Sequence, residues 1–429
     1  MQELRRGDGT ATVRFEATPD FARSADETDP LQGFRSRFAM PPGVLYFAGH
    51  SLGPMPLAAR ERVNEELEDW AQLGVFGHEE ARRPWIPYHE HLTAGLCHLT
   101  GASPREVIAM NTLTVNIHVM LASFYRPEGA RRKILIEAGA FSSDRHAVTS
   151  QIAWHGLDPA QNLIELAPAA GEDLVPESAI EACLAAAGPE VALVLWPGVQ
   201  FRTGQSFDLA RIARAAHGAG GLVGFDLAHS IGNVPLSLHE DNADFAVWCG
   251  YKYLNGGPGA IGGAFVHERH VDVRPRLSGW WGHDAATRFE MQPEFRAHPG
   301  AAGWAISNPP VLAAAPLIAS LEIFQAARIE RLREKSIELT GYLEFLLDRL
   351  APDVKIISPR DPAARGCQLS FRISGAGRGA RVFEWLTANG VACDWREPDV
   401  IRASPIPLYN RFEDVLVFSE RLAQALKAS

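Results

Sequence analysis

Between residues 131 and 226, short apolar runs alternate with segments whose apolar positions recur at helical spacing. The run inside RRKILIEAGAF (131–141) predicts a buried strand at Ile134 to Ile136, with Ser142, Ser143 and Asp144 offering caps to a following helix. VALVLWPGV (191–199) predicts a second strand that breaks at Pro197-Gly198. The segment behind it, SFDLARIARAAHGAGG, sets Leu209, Ile212, Ala213 and Ala216 on one helical face and ends in glycine. LVGFD (222–226) is the next strand. Alternation of this kind implies an α/β fold with a mostly parallel, helix-covered sheet, whose ligands sit beyond the carboxyl ends of its strands.

After Pro309-Pro310 a largely helical stretch, about 311 to 349, carries the chain toward a second unit. Apolar runs at KIIS (355–358) and CQLSFRIS (367–374) read as a smaller α+β domain. The expected division is an N-terminal segment, 1–65, packing with the small domain, a large domain over 66–320, and the small domain over 321–429. A chain of 429 residues exceeds what one core usually supports, which fits two domains.

Composition narrows the partners. Hydrophobic residues at 46% and charged residues at 21% are those of an ordinary globular protein. A net charge of −10 opposes attraction to nucleic acid or anionic lipid. Five scattered cysteines with no CxxC pair argue against a disulfide framework and a zinc site and suit a reducing cytoplasm. MQELRRGDGTATVRF holds no apolar stretch of signal-peptide length, and no window approaches the roughly 20 apolar residues of a membrane span. A cytoplasmic protein without nucleic-acid or membrane partners is expected.

The constellation richest in chemistry is GFDLAHS (224–230) with GYKYLNGGPGAIGG (250–263) after it. Asp226 ends a strand, and Lys252 comes after a further apolar run, DFAVWC (244–249), so both side chains can emerge at one sheet edge. A lysine that forms a Schiff base with pyridoxal phosphate needs an opposing carboxylate to keep the pyridine nitrogen protonated. The same spacing equally suits an Asp at a strand end that serves as a helix cap and a surface lysine. Phe141 is placed to stack on a ring or to fill the core. NTLTVNIH (111–118) reads as a loop entering a helix, where Leu113 and Thr114 offer amides and a hydroxyl to a phosphate, or simply a capped helix. Tyr251 is a candidate proton shuttle and His229 a hydrogen-bonding partner of the cofactor or its carboxylate. GPGAIG (257–262) satisfies GxGxxG but lacks the downstream acid of a dinucleotide site, and HERH (267–270) lacks the HExxH spacing and a third ligand, so no metal is expected.

FAGHSLGPMP (47–56), GHEEARRPW (77–85), NTLTVNIH, AFSSD (140–144), GFDLAHSIGNVPL, WCGYKYLNGGPG, SGWWGH (278–283), AISNPPVL (305–312), LTGYLEFLL (339–347) and IRASPIPLYN (401–410) resemble kynureninase segments in the order of that family. The resemblance implies a type I pyridoxal-phosphate fold and a homodimer with active sites at the subunit interface. It implies Lys252 as the Schiff-base lysine, Asp226 as the pyridine-nitrogen partner and Phe141 as the stacking ring. Leu113, Thr114, Asp144, His229 and Tyr251 match cofactor contacts, and Trp280 and Asn308 match contacts from the neighbouring subunit. Arg402 resembles the arginine that holds the substrate α-carboxylate. Two departures touch the site: Ser142 stands where the family usually has proline, and Pro197 where some members place a phosphate-contacting serine.

The activity so implied is hydrolysis of the Cβ–Cγ bond of a kynurenine-type amino acid to an anthranilate and L-alanine, with Lys252, Asp226 and Tyr251 catalytic and no metal. His78, Ser307 and Asn308 match members that prefer the 3-hydroxylated substrate; the plainer alternative is that His78 packs and Asn308 caps the helix near Pro309. The rivals are another type I pyridoxal enzyme, such as a cysteine desulfurase or an aminotransferase, and a catalytically silent binding protein. A desulfurase needs a reactive cysteine on a mobile loop, and none of the five stands in an obvious one.

Overall fold

The computed structural model of the chain describes residues 3–5, 12–273 and 276–429, so the opening of the 1–65 segment, residues 1, 2 and 6–11, lies outside the described residues. Seven strands form the central sheet: β1 (Val107–Ala109), β2 (Lys133–Glu137), β3 (Leu163–Leu166), β4 (Val191–Pro197), β5 (Leu222–Asp226), β6 (Phe245–Trp248) and β7 (Gly263–Val266). Their order is β1-β7-β6-β5-β4-β2-β3. β7 runs against both neighbours, and the remaining pairs are parallel. The strands read as continuous apolar runs because both faces are covered. Along β4, Val191, Val194 and Trp196 enter one core, while Ala192, Leu193 and Leu195 enter the other. The helix Leu209–Gly218 buries Leu209, Ile212, Ala213 and Ala216, the face its sequence predicts.

Parallel pairing gathers the carboxyl ends of the strands along one edge. Asp226 at the end of β5 stands in register with Pro197 of β4 and Val247 of β6. The helices Leu113–Phe124 and Ser142–Trp154 begin at the same edge. The loops and helix starts that leave β1, β2, β4, β5 and β6 therefore converge in space.

Beyond Pro310 the helices Val311–Ala327 and Ile329–Leu350 meet at 80°, with the turn at Arg328. The first packs on the helix Leu57–Leu73, and the second packs on the C-terminal helix Phe412–Ala428. A second, antiparallel sheet, β8 (Val354–Ile356), β9 (Leu369–Ile373), β10 (Asp394–Arg396) and β11 (Val400–Ala403), has the order β8-β9-β11-β10. Residues 12–65 divide between the two cores: Phe15, Ala22 and Phe47 enter the smaller one, while Leu31 and Phe38 enter the larger. Among the described residues no single helix is long and apolar enough to cross a membrane.

Candidate active site

A crevice at the carboxyl edge of the sheet is lined by Lys252, Asp226, Asp144, Phe141, His229 and Leu113, among others. Asp226 is buried, and its Oδ1 accepts the Ala228 amide at 2.8 Å. That bond closes a local turn; no helix follows Asp226, so the helix-cap alternative is not realised, and the residue lines the crevice. Asp144 lies within hydrogen-bonding reach of Asp226; burial first, and then the charge of Asp226, push its carboxyl well above the usual range.

Lys252 stands on the loop between β6 and β7. The loop is pressed against the chain at 261, since a Cβ on Gly250 would collide with the Ile261 carbonyl oxygen. The Gly256 amide closes the turn on the Gly250 carbonyl at 2.8 Å, and the Gly53 amide ties the N-terminal segment to the Tyr251 carbonyl at 2.9 Å. Lys252 Nζ lies 3.2 Å from His229 Nε2 and 5.7 Å from the centre of the Phe141 ring. Burial first, and then the Lys252 charge, hold the His229 imidazole well below its usual range, so it is neutral and its Nε2 accepts from the ammonium. Among the described residues its Nδ1 is buried without a hydrogen-bond partner.

Phe141 is 41% exposed although large and apolar, and rests edge-on against Phe201 at 5.3 Å. Leu113 opens the helix Leu113–Phe124, and Thr112 before it makes no side-chain cap, so the first amides of the helix are left for another acceptor. Thr114 is exposed beside them, and Tyr251 is half-buried, its hydroxyl pushed up by burial. Ser142, Ser143 and Asp144 do not cap the helix as expected: Phe141 holds the cap position and Asp144 is turned into the buried crevice, with the Ser143 hydroxyl donating to it at 3.1 Å. Desolvated contact with Asp226 overrides the local capping preference. Pro197 lines the crevice, and Ser142, next to Phe141, is exposed.

Two crevice residues escape a reading of the sequence. Glu137 closes β2; burial pushes its carboxyl up to about 7, and its Oε2 has no hydrogen-bond partner among the described residues. An acid ending the apolar run KILIE is the signal that could have found it. Phe201 carries none.

Arg402 lies on β11, buried, and its guanidinium pairs with Asp394 and donates to the Phe201 carbonyl at 2.7 Å. Its Nε has no hydrogen-bond partner among the described residues. His50 Nε2 stands 3.5 Å from Asp394, and the Ser404 hydroxyl is 2.8 Å from His50 Nδ1. Burial first, and then the Arg402 charge, lower His50 to about 3, so it is neutral at ordinary pH.

The remaining expected residues lie elsewhere. His78 and Asn308 line a second pocket with Trp70, Trp85, Trp281 and Pro310, and this pocket shares no lining residue with the lysine crevice. His78, Ser307 and Asn308 are exposed. Asn308 caps nothing, because the helix starts at Val311 with Pro310 at its cap position. Trp280 is 48% exposed, with its indole N–H donating to the Arg288 carbonyl at 3.1 Å. The two histidines of HERH diverge, His270 onto Asp244 at 2.7 Å and His267 toward Glu106. Glu106, His239 and His267 bring ligand atoms within 4.8 Å of one another, with the Glu106 carboxylate accepting from His239 and from the Ser103 and Glu268 amides.

The kynureninase C-terminal domain model matches residues 332–422. Kynureninase of Xanthomonas campestris pv. campestris strain B100 is 55% identical over 401 residues, 92% of this chain and 95% of the relative. The chain belongs to the kynureninase family. Kynureninase of Myxococcus xanthus strain DK1622 adds 53% identity over 421 residues, 96% and 98% of the two chains. Among solved structures, a mutant of C-DES with glycine covalently linked to its pyridoxal phosphate superposes with a TM-score of 0.78 at 20% identity, covering 91% of this chain and 98% of that one. The cysteine desulfurase CsdA from Escherichia coli gives 0.75 at 19% identity, over 93% and 98%. These likenesses carry the type I fold alone. Membership in the kynureninase family makes the chain a pyridoxal-phosphate-dependent hydrolase of a carbon–carbon bond. A desulfurase's reactive thiol has no counterpart here: burial raises all five cysteines, and none lines the lysine crevice.

Proposed function

We propose that the chain hydrolyses the Cβ–Cγ bond of a kynurenine-type amino acid, giving L-alanine and an anthranilate, with 3-hydroxy-L-kynurenine preferred over L-kynurenine. The observation that carries the site assignment is the convergence of Lys252, Asp226, Asp144, His229 and Phe141 in one crevice where, among the described residues, the buried His229 Nδ1 and Glu137 Oε2 lack partners. Orphaned His229 Nδ1, the uncapped amides at Leu113 and Thr114, and an exposed aromatic face at Phe141 are what an anionic, flat, polar-edged cofactor would satisfy.

Bound pyridoxal phosphate supplies an aldehyde for the Lys252 amine and then the substrate amine, and a ring that withdraws electrons from Cα. In this reading Asp226, with Asp144 beside it, would keep the ring nitrogen protonated. Leu113 and Thr114 would hold the phosphate, Phe141 would stack on the ring, and His229 would donate from Nδ1. Lys252, once released, takes the Cα proton; the neutral His229 beside it accepts without competing for charge. Water adds to the γ-carbonyl, Tyr251 relays the proton that the departing alanine carbon requires, and the anthranilate leaves. Arg402 holds the substrate α-carboxylate, with its unpartnered Nε open for a further hydrogen bond.

A homodimer in which Trp280 and Asn308 reach the site of the neighbouring chain fits the exposure of both residues and their separation from the chain's own crevice, Asn308 lying in the second pocket. Exposed Leu57, Trp70, Val75, Phe76, Phe289 and Met291 offer apolar area for such a contact. Service in tryptophan breakdown, or in NAD or secondary-metabolite synthesis, and a cytoplasmic location complete the proposal. The test offers kynurenine and 3-hydroxykynurenine together to the loaded enzyme, identifies products by mass spectrometry, and maps the borohydride-fixed cofactor. Alanine with 3-hydroxyanthranilate in excess, and a label on Lys252, is the expected result. A label elsewhere, or no anthranilate, overturns the assignment.

A further inference from the structure

One buried carboxylate is devoted to the second pocket. Glu66, on the helix Leu57–Leu73, has a side chain with 0% exposure. Its Oε1 accepts from Arg83 Nε at 2.7 Å and from the Tyr88 hydroxyl at 2.9 Å, while its Oε2 accepts from the indole N–H of Trp85 at 3.1 Å. All three donors sit on the segment beyond the short helix Gly77–Glu80, and backbone bonds from Trp85 to Gly77 and from Ile86 to His78 fold that segment back on itself. The Trp85 ring lies so close over Gly77 that a Cβ there would collide with its Cη2. The same ring stands edge-to-face with the His78 imidazole, centroids 5.5 Å apart and planes at 83°.

Nothing else holds the Trp85 indole by a hydrogen bond among the described residues, and Trp85 is the ring against which His78 rests. We infer that Glu66 is a positioning residue for the aryl-recognising half of the site: by fixing Trp85 it fixes His78, and so sets how strongly a ring hydroxyl is recognised. The inference rests on the proposed role of the His78 pocket. Glu66 touches no reacting atom, so its signature is recognition without loss of chemistry. Glu66→Gln keeps the volume but gives up the charge that binds Arg83 and one of the two accepting oxygens. KM for 3-hydroxykynurenine should rise by about tenfold with kcat within a factor of two, and the preference over kynurenine should narrow by a similar factor.

The experiment combines Glu66→Gln, Trp85→Phe and the double variant with 5-fluorotryptophan labelling, Trp85→Phe assigning the Trp85 signal. A displaced Trp85 signal in Glu66→Gln, the KM shift, and a double variant no worse than the stronger single one bear the inference out. An unmoved Trp85 signal, additive effects of the two substitutions, or a fall in kcat with unchanged preference overturns it. If Glu66→Gln fails to fold, Trp85→Phe alone decides, since unchanged preference in that variant removes the link. His78→Leu separates the two levels. Should it leave the preference intact while the Trp85 signal still moves in Glu66→Gln, the pocket's role as recognition site falls and the selectivity inference with it, although the anchoring stands.

Discussion

The lysine crevice and the His78–Asn308 pocket are built by opposite means. The crevice collects residues from the ends of β2, β4, β5 and β6, buried among close-packed strands, and protonation there is set by desolvation: Asp144 keeps its proton, His229 loses its own, and Glu137 titrates near neutrality. The pocket is aromatic and open, its polar residues His78 and Asn308 stand exposed, and a buried carboxylate, Glu66 on the helix Leu57–Leu73, is held behind it by Arg83. One region gathers ionisable groups where water is excluded; the other, with the ion pair Glu66–Arg83 set behind aromatic rings, is proposed as recognition surface. Under the proposed function the substrate carries both an amino-acid head and an aryl ketone and needs both regions, which a second chain is proposed to bring together.

The sharpest way to break the contrast is Lys252→Ala, which should lower kcat by several orders of magnitude while the pocket's tryptophan fluorescence stays unchanged, since neither amine exchange nor proton transfer at Cα has a substitute group. Near-normal single-turnover rates would dismiss the crevice as the site. Asp226→Ala comes next, costing roughly 10²- to 10⁴-fold in kcat/KM together with cofactor affinity, measured by equilibrium dialysis; Asp226→Glu should recover part of both. Retention of cofactor and rate would reduce Asp226 to the turn cap it already forms with Ala228.

On the pocket side, His78→Trp should change preference rather than chemistry, moving the kcat/KM ratio of 3-hydroxykynurenine to kynurenine about tenfold toward kynurenine, as the loss of one well-placed hydrogen bond would. A ratio that does not move would leave His78 as packing for Trp85.

The smallest effect concerns stability. Burial raises the Glu137 carboxyl from its usual 4.5 to about 7, so the folded chain holds a proton that the unfolded chain has released, and stability falls as pH climbs through that window. Glu137→Gln in the cofactor-free protein should therefore gain on the order of 2 kcal/mol over the parent at pH 8 and nothing at pH 4. Equal denaturation midpoints at both pH values would show that Glu137 is not desolvated as described.

Much of this was legible in the chain. The continuous run of β4, the face formed by Leu209, Ile212, Ala213 and Ala216, and the positions of Asp226 and Lys252 just past apolar strands come from periodicity, because a doubly covered strand has no polar side and a helix buries residues at fixed spacing. The ordered family blocks marked the site residues as a set. What the chain did not reveal was their grouping and their charge. Asp144 looks like a helix cap until the fold sets it against Asp226, and only desolvation decides that it keeps its proton. Arg402 looks like a free fork until β10 brings Asp394 to it, with His50 arriving from the other end of the sequence. Glu66 is one acid among several on its helix, and its meaning appears when three donors from residues 83 to 88 close on it. Local sequence decides which elements form, since propensity and periodicity are short-ranged. Protonation, pairing and the division of the site into two regions depend on which distant groups exclude water from one another, and that is decided only when the chain is packed.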